Sequence, residues 1–597
     1  MRTSLYCAVS AILMAGTANA VVDLSPAKWP AADRTKVEAQ EHKAPTPLEK
    51  QLIESERGIV SATVSPIAVY AGLQALRHGG NAADAAATTA LTQVTTQLGS
   101  VVSYAGIFTM VYYDAKTHKV YSMDAGYNSY LHENDPSTIP VGDLGPLSVG
   151  LKPTEGGAKG RETLVPGFMA GLEAMQRRFG KLPFKSVFAP AIYYNEQGLR
   201  ISATLQRYFE MRGKFLARTP EGRAFMAQSG GQQPKEGEIF KQPGLAKTLR
   251  AISEQGSKYM YTGEWSKKFV RLVQREGGKV TAKDLSRYKP IWSEPYHEEF
   301  LGHTIYVNGP PHYGAYDLLT GLNLIEATGL AQKGPYWSDV DTLQDLMHIS
   351  DLVSGAPVLN AQMADFLKAK SIDVSPPHLL TKDFAAKVAP LLADLYTPPA
   401  DNGPHHSNAI VVVDKDGNIA AVTHTINAVI WGDTGIVVGG IPIPDSAAFQ
   451  QARLSNLKAG ERLPHEIIDV IAFTGKTPVL ATASIGSSLV PESLRVLLGY
   501  LGQRQDLPTL MAAPAVMANL DFGQLNQVPG ERPVGLVAGA YSAEFVATLK
   551  ERKLPVTEVP TATAAGLRGT LAAVAIDASG RKSAINQPGV LVFNGAE

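Results

Sequence analysis

His405-His406-Ser407-Asn408-Ala409-Ile410-Val411-Val412-Val413-Asp414 sets a hydroxyl residue at the head of an apolar, β-branched run. The run ends in Asp414-Lys415-Asp416-Gly417-Asn418, and Ile419-Ala420-Ala421-Val422-Thr423-His424-Thr425-Ile426-Asn427 follows. Two such runs around a Gly-Asn turn predict a hairpin of buried strands. Free serine is a weak nucleophile at neutral pH and needs a base. Cleavage between His406 and Ser407 would supply one, because it puts a hydroxyl and an α-amine on the same residue. An α-amine titrates at about 7.7–8.0, which suits a general base near neutral pH. The alternative, a serine elbow of the form G-x-S-x-G, has its nearest counterpart in Ala483-Ser484-Ile485-Gly486, which lacks the first glycine. Without cleavage, a serine at a strand start is a cap or turn residue.

Working outward, Ser65-Pro66 predicts a helix start, with serine as cap and proline in the first turn. Gly79-Gly80-Asn81 breaks that helix and caps a second, alanine-rich one from Ala82 to about Val94. Val101 to Tyr113 is strand-like, residues 114–118 form a turn, and 119–124 form a second strand. Gly302 to Val307 is a short strand ending at Pro310-Pro311. Residues 21–50 carry Pro26, Pro30, Pro45 and Pro47, and 21–57 are expected to be an extended or disordered leader ahead of the large subunit. Residues 371–404 are expected to be a loop, with Pro376-Pro377, Pro398-Pro399 and Asp401-Asn402-Gly403-Pro404. A mobile segment directly before Ser407 is a natural place for a chain break. Beyond 410 the pattern is strands, a helical stretch near 489–503, then strands again. Helices before and strands bunched after Ser407 predict layered α and β with an antiparallel core.

The chain of 597 residues is 45% hydrophobic and 18% charged, with 55 basic against 55 acidic residues. A zero balance without a basic run argues against nucleic acid or an anionic membrane surface as partner. Arg2, the apolar stretch Leu5 to Ala15 and the small residues Thr17-Ala18-Asn19-Ala20 predict a secretory signal cleaved after Ala20. The export destination is the periplasm or the exterior. That apolar stretch is short for a span of about 20 residues, and no later segment is long and apolar enough to cross a membrane. The single cysteine, Cys7, lies inside the signal, so the mature chain is expected to have no disulfide and no thiolate chemistry.

Several ordered blocks carry a resemblance to a known family. They are Gly79-Gly80-Asn81-Ala82-Ala83-Asp84-Ala85, then Val165-Pro166-Gly167 with Phe179-Gly180-Lys181-Leu182-Pro183 and Ala189-Pro190-Ala191. Next come Asp284-Leu285 with Tyr288 and Pro290, and finally Val411-Val412-Val413-Asp414 with Asp416-Gly417-Asn418. In this order and spacing, most of residues 58–597 resembles the γ-glutamyltransferase family of N-terminal nucleophile hydrolases. The resemblance implies an α+β fold: a four-layer αββα sandwich, two stacked antiparallel sheets flanked by helices. It implies a precursor that cuts itself into a large subunit, 58–406, and a small subunit, 407–597, intertwined in one domain. The family's nucleophilic threonine falls on Ser407, which keeps the hydroxyl and the α-amine. Thr425 matches the threonine that hydrogen-bonds the nucleophile, and Asn427 an asparagine that contacts substrate. Gly486-Ser487 lies where the family's Gly-Gly pair forms the oxyanion hole from backbone N–H groups.

The glutamyl pocket departs from the pattern. The arginine that holds the α-carboxylate falls on Gly126, and no arginine lies between Asp124 and Pro136. The Ser-Ser pair on the same carboxylate is replaced by His465-Glu466, and the aspartate on the α-amine falls on Ala448, with Asp445 near a glutamine contact. The departures imply a changed acyl group, and Glu466 and Asp445 would favour a cationic or amine-bearing one. His405, His406, His424 and His465 show no tight ligand spacing such as H-E-x-x-H, and no metal or cofactor is expected. Residues 414–418 do not open a calcium loop, whose twelfth position would be Thr425 rather than Glu. The expected partner is a small-molecule amide or peptide. Two further readings stay open: a true γ-glutamyltransferase or glutathione hydrolase, and a catalytically inactive periplasmic binding homologue.

Overall fold

The computed structural model describes residues 22–43, 51–140, 157–227, 232–353, 361–394, 407–486, 489–517, 534–552, 554, 556–561, 569–585 and 592–597. Two seven-stranded sheets form the centre. The first runs, edge to edge, Val592–Ala596, Ile59–Thr63, Ser407–Val413, Ile419–Thr425, Ile107–Asp114, Lys119–Ala125 and Ile291–Ser293. The second runs Leu52–Ser55, Lys582–Ile585, Thr570–Ile576, Thr477–Ile485, Ile468–Thr474, His303–Val307 and Tyr296–Phe300. Every pairing within both sheets is antiparallel.

The strand from Ser407 shows why its apolar run is continuous. Ala409, Val411 and Val413 point between the sheets, where they pack with Ile471, Ala481 and Val574. Ile410 and Val412 point the other way, into the core shared with helices Pro66–Arg77 and Ala82–Thr96. A strand buried on both faces needs apolar residues at every position. The outer face of the second sheet, with Ile468, Val470 and Leu480, is covered by helices Gly314–Ala327, Val340–Val353 and Leu489–Leu497. The result is the expected αββα sandwich.

Local signals hold at the helix starts. Ser65 accepts the N–H of Ala68 with Pro66 in the first turn, and Asn81 and Asp84 form a reciprocal capping box. Two segments differ from the sequence reading. Residues 31–43, expected to be extended, form a helix. Trp29 anchors its start against Tyr70, and the Glu41 carboxylate accepts hydrogen bonds from Ser65 and the Ile67 N–H. Residues 371–394, expected to be a loop, carry the short helices Pro376–Leu379 and Lys382–Val388, which dock Leu379, Phe384 and Val388 into the second core. In both cases tertiary anchoring overrides weak local propensity.

Asp469 joins the two sheets. Its buried carboxylate accepts from Thr423 (2.6 Å) and Thr109 (3.1 Å) of the first sheet and from Asn308 (2.9 Å). Burial raises its pKa to about 6. Asp469→Ala strands three interior donors, each costing about 1–3 kcal/mol. Denaturant unfolding is therefore expected to show a loss of about 3 kcal/mol or more, with Asp469→Asn milder.

Candidate active site

Ser407 is the first residue of its strand and is half-buried. Across the hairpin its partner is Thr425, whose other neighbour is Ile107. Alternation from Ala409 and Val411 turns Ser407 and Thr425 to the inter-sheet face, and opposed residues sit about 4.5–5.5 Å apart at Cβ. Thr425 Oγ1 also accepts the N–H of Asn427 (3.2 Å). The chain turns at Asn427, which takes a left-handed φ of 46°. Its side-chain nitrogen lies 2.8 Å from His465 Nδ1.

The second sheet brings its own ends to this place. His465 and Glu466 precede strand Ile468–Thr474, Gly486 follows strand Thr477–Ile485, and Ile468 pairs with Ser484. Because Asp469 bonds Thr423, this end lies over the Thr425 end of the first sheet. Gly486 has a φ of +93°, a conformation that favours glycine. Ser407, Thr425, Asn427, Glu466 and Gly486 thus gather at one end of the sandwich. Ser487 and His406 lie outside the described residues, as does the signal sequence expected at 1–20.

The charges around this end are internally paired. Glu466 accepts from Tyr313 Oη (3.2 Å) and lies 3.8 Å from Arg453, whose guanidinium sits over the Tyr313 ring. A cationic substrate would have to compete with Arg453 for Glu466. Arg462 bonds the Asp124 carboxylate, Asn128 Oδ1 (2.6 Å) and the Lys289 carbonyl (2.8 Å). His312 Nε2 approaches Asp124 Oδ1 at 3.3 Å. Burial, reinforced by His312, Arg453 and Arg462, holds the His465 pKa well below the ordinary histidine value, so the ring is neutral. His424 points to the helix side, against Gln93 and Phe168, and burial lowers its pKa to about 3.

Asp445 lies elsewhere. It is fully buried, accepts the Asp433 N–H (3.2 Å), and belongs with Glu162 and Asp433 to a carboxylate trio whose oxygens lie within 4.8 Å of one another. The trio touches the site through the next residue, Ser446, whose hydroxyl donates to the Ile426 carbonyl (2.5 Å). Among the described residues this is the one group of His, Cys, Asp or Glu spaced to share a cation, and it includes no histidine. Lys159 Nζ already sits 2.8 Å from both Glu162 and Asp433. Burial and then the Asp433 and Asp445 charges raise the Glu162 pKa to about 10. The folded chain therefore holds a proton that the unfolded chain releases above about 4.5. Stability from this group is full below that value and falls as pH rises toward about 10. Glu162→Gln keeps the shape without the proton, so its melting temperature is expected to fall less steeply than wild type between pH 5 and 9.

Sequence reasoning did not find Arg453, Arg462, Asp124, His312 or Tyr313. The search for an arginine covered Asp124 to Pro136, whereas Arg462 reaches Asp124 from 338 residues further along the chain. A cluster of polar residues just ahead of the apolar strand at 468 was the available signal.

Two stacked antiparallel sheets between helical layers, with strand ends gathered around Ser407, define the αββα class of N-terminal nucleophile hydrolases and acyltransferases. The chain belongs to the gamma-glutamyltranspeptidase family, which residues 68–584 match. It is 30% identical over 381 residues to the glutathione hydrolase proenzyme of Pseudomonas aeruginosa, covering 62% of this chain and 63% of that protein, less than two thirds of the relative's length. It is 27% identical over 506 residues to the glutathione hydrolase proenzyme of Bacillus subtilis, covering 79% and 82%. Among solved structures, cephalosporin acylase from Bacillus halodurans superposes with a TM-score of 0.74 over 93% of this chain and 98% of that one; at 19% identity the likeness is one of fold. No described helix is long and apolar enough to cross a membrane.

Proposed function

We propose that the chain is an exported, self-processing amidohydrolase or acyltransferase that works through an acyl-enzyme at Ser407. Ser407 Oγ attacks the His406 carbonyl carbon, the C–N bond breaks, and the Ser407 nitrogen leaves as a free amine. Water then hydrolyses the ester, leaving His406 as a carboxylate and Ser407 as the first residue of a 407–597 subunit. On substrate, the α-amine takes the Oγ proton and returns it to the leaving amine. Water or an acceptor amine then releases the acyl group. Gly486 and Ser487 supply backbone N–H groups to the oxyanion, Thr425 orients the hydroxyl, and Asn427 and Glu466 shape the substrate pocket, with Asp445 acting on it from behind through Ser446 and the Ile426 carbonyl.

The observation that carries this reading is the placement of Ser407: first in a core strand, opposite Thr425, at the end where Asn427, Glu466 and Gly486 collect. A small amide or peptide is the substrate, with an acyl group changed from γ-glutamyl. The names of the curated relatives favour a second reading, glutathione hydrolysis, which a donor panel separates from the first. The test is acyl trapping with a slowly deacylating amide or ester. Mass spectrometry is expected to find the acyl mass on the peptide that begins at Ser407; acyl mass on another residue, or none despite turnover, would overturn the proposal.

A further inference from the structure

His465 fills a space that the backbone opens for it. A Cβ at residue 126 would lie 2.7 Å from His465 Nε2, 2.8 Å from His465 Cδ2 and 2.8 Å from Asp124 Oδ1. Contacts that short do not occur, so only glycine at 126 admits the imidazole in this place. The ring is 1% exposed, with the Tyr127 ring meeting it nearly edge-on at 6.2 Å between centroids. The Tyr127 hydroxyl in turn bonds the Ile426 carbonyl (3.0 Å), next to Asn427. On its other side His465 Nδ1 meets the Asn427 amide at 2.8 Å, and Asn427 holds a left-handed backbone conformation that costs a non-glycine residue energy. The Asn427 N–H reaches Thr425 Oγ1, which faces Ser407. The imidazole is therefore wedged on one side by backbone and tied on the other to the turn beside the nucleophile. His465 Nε2 has no hydrogen-bond partner, so the ring's polar anchorage runs through Nδ1 alone.

We infer that His465 is the positioning residue of the acyl pocket: seated against Gly126, it fixes the Asn427 carboxamide beside Thr425 and Ser407. The inference rests on the proposed role of Ser407. The ring it seats behind the Asn427 carboxamide is buried and neutral, so it adds no positive charge there for a carboxylate. Arg462, the nearby buried cation, is held by Asp124, Asn128 and Lys289.

Asparagine and leucine at 465 test this on the full chain. Asn places its amide oxygen near the position of imidazole Nδ1, while Leu keeps bulk without the hydrogen bond. With an uncharged acyl p-nitroanilide, His465→Leu is expected to lower kcat/KM at least tenfold, and His465→Asn to recover most of that loss. Gly126→Ala is expected to lower kcat/KM at least tenfold, by displacing the ring and pressing on Asp124 Oδ1, and to cost less in the His465→Asn background, where only the Asp124 contact remains. Melting temperatures of all variants identify any that fail to fold. Equal activity of the Leu and Asn variants, with both folded, would overturn the inference, as would additive effects of Gly126→Ala and His465→Asn. A wild-type chain that neither cuts itself nor turns over any amide overturns the Ser407 reading first. An active wild type with an unaffected His465→Leu variant overturns the positioning role alone.

Discussion

Ser407→Ala is expected to leave one uncut polypeptide and to lower amide turnover by about 10⁴-fold or more. Both losses have one cause. In the proposed mechanism self-cleavage needs Ser407 Oγ as the attacking atom, and substrate turnover needs that oxygen together with the α-amine that cleavage would expose. Residues that act as one unit fail together, and loss of a nucleophile costs in this range. Ser407→Thr keeps hydroxyl and amine, so it is expected to retain cleavage on a gel and a substantial part of the turnover. Alanine differs from serine by one oxygen at a half-buried strand end, so the melting temperature should move little. A cleaved, active Ser407→Ala protein would place the nucleophile elsewhere.

The second large effect concerns the acyl donor. A bidentate guanidinium–carboxylate contact is worth a few kcal/mol in a buried pocket, and about 3 kcal/mol corresponds to roughly 100-fold in rate. Where the family resemblance puts an arginine, this chain has Gly126, and the space beside it holds the His465 ring. Arg462 is held by Asp124, Asn128 and Lys289, and Arg453 faces Glu466. γ-Glutamyl-p-nitroanilide is therefore expected to show a kcat/KM at least about 100-fold below that of the best uncharged aliphatic or aromatic acyl p-nitroanilide. A γ-glutamyl donor that matches or exceeds the others would favour the glutathione-hydrolase reading and show that another group anchors the carboxylate.

The hairpin around Ser407 was legible because both strands are buried on two faces and bounded by an unambiguous turn, whereas Thr425 came from the family resemblance and its place opposite Ser407 from the fold. The caps at Ser65 and Asn81 were legible for the same local reason. The helix at 31–43 was not, since its order comes from Trp29 on Tyr70 and Glu41 on Ser65, contacts that no local pattern announces. The site was half legible. Residues on the nucleophile hairpin could be placed by counting along strands, whereas the Asp124–Arg462 and Gly126–His465 pairs join segments more than 300 residues apart. A glycine in a turn reads as conformational freedom; only the assembled fold shows that Gly126 makes room for a particular ring. Glu466, read alone, suggested a cationic substrate, and the structure adds the Arg453 and Tyr313 partners that the one-dimensional view could not supply.

N-terminal sequencing of the purified protein tests the central claim most directly. The account predicts two fragments on a denaturing gel, the smaller beginning Ser-Asn-Ala-Ile at Ser407. A chain that stays whole after prolonged incubation, or a smaller fragment that begins at any other residue, would contradict it.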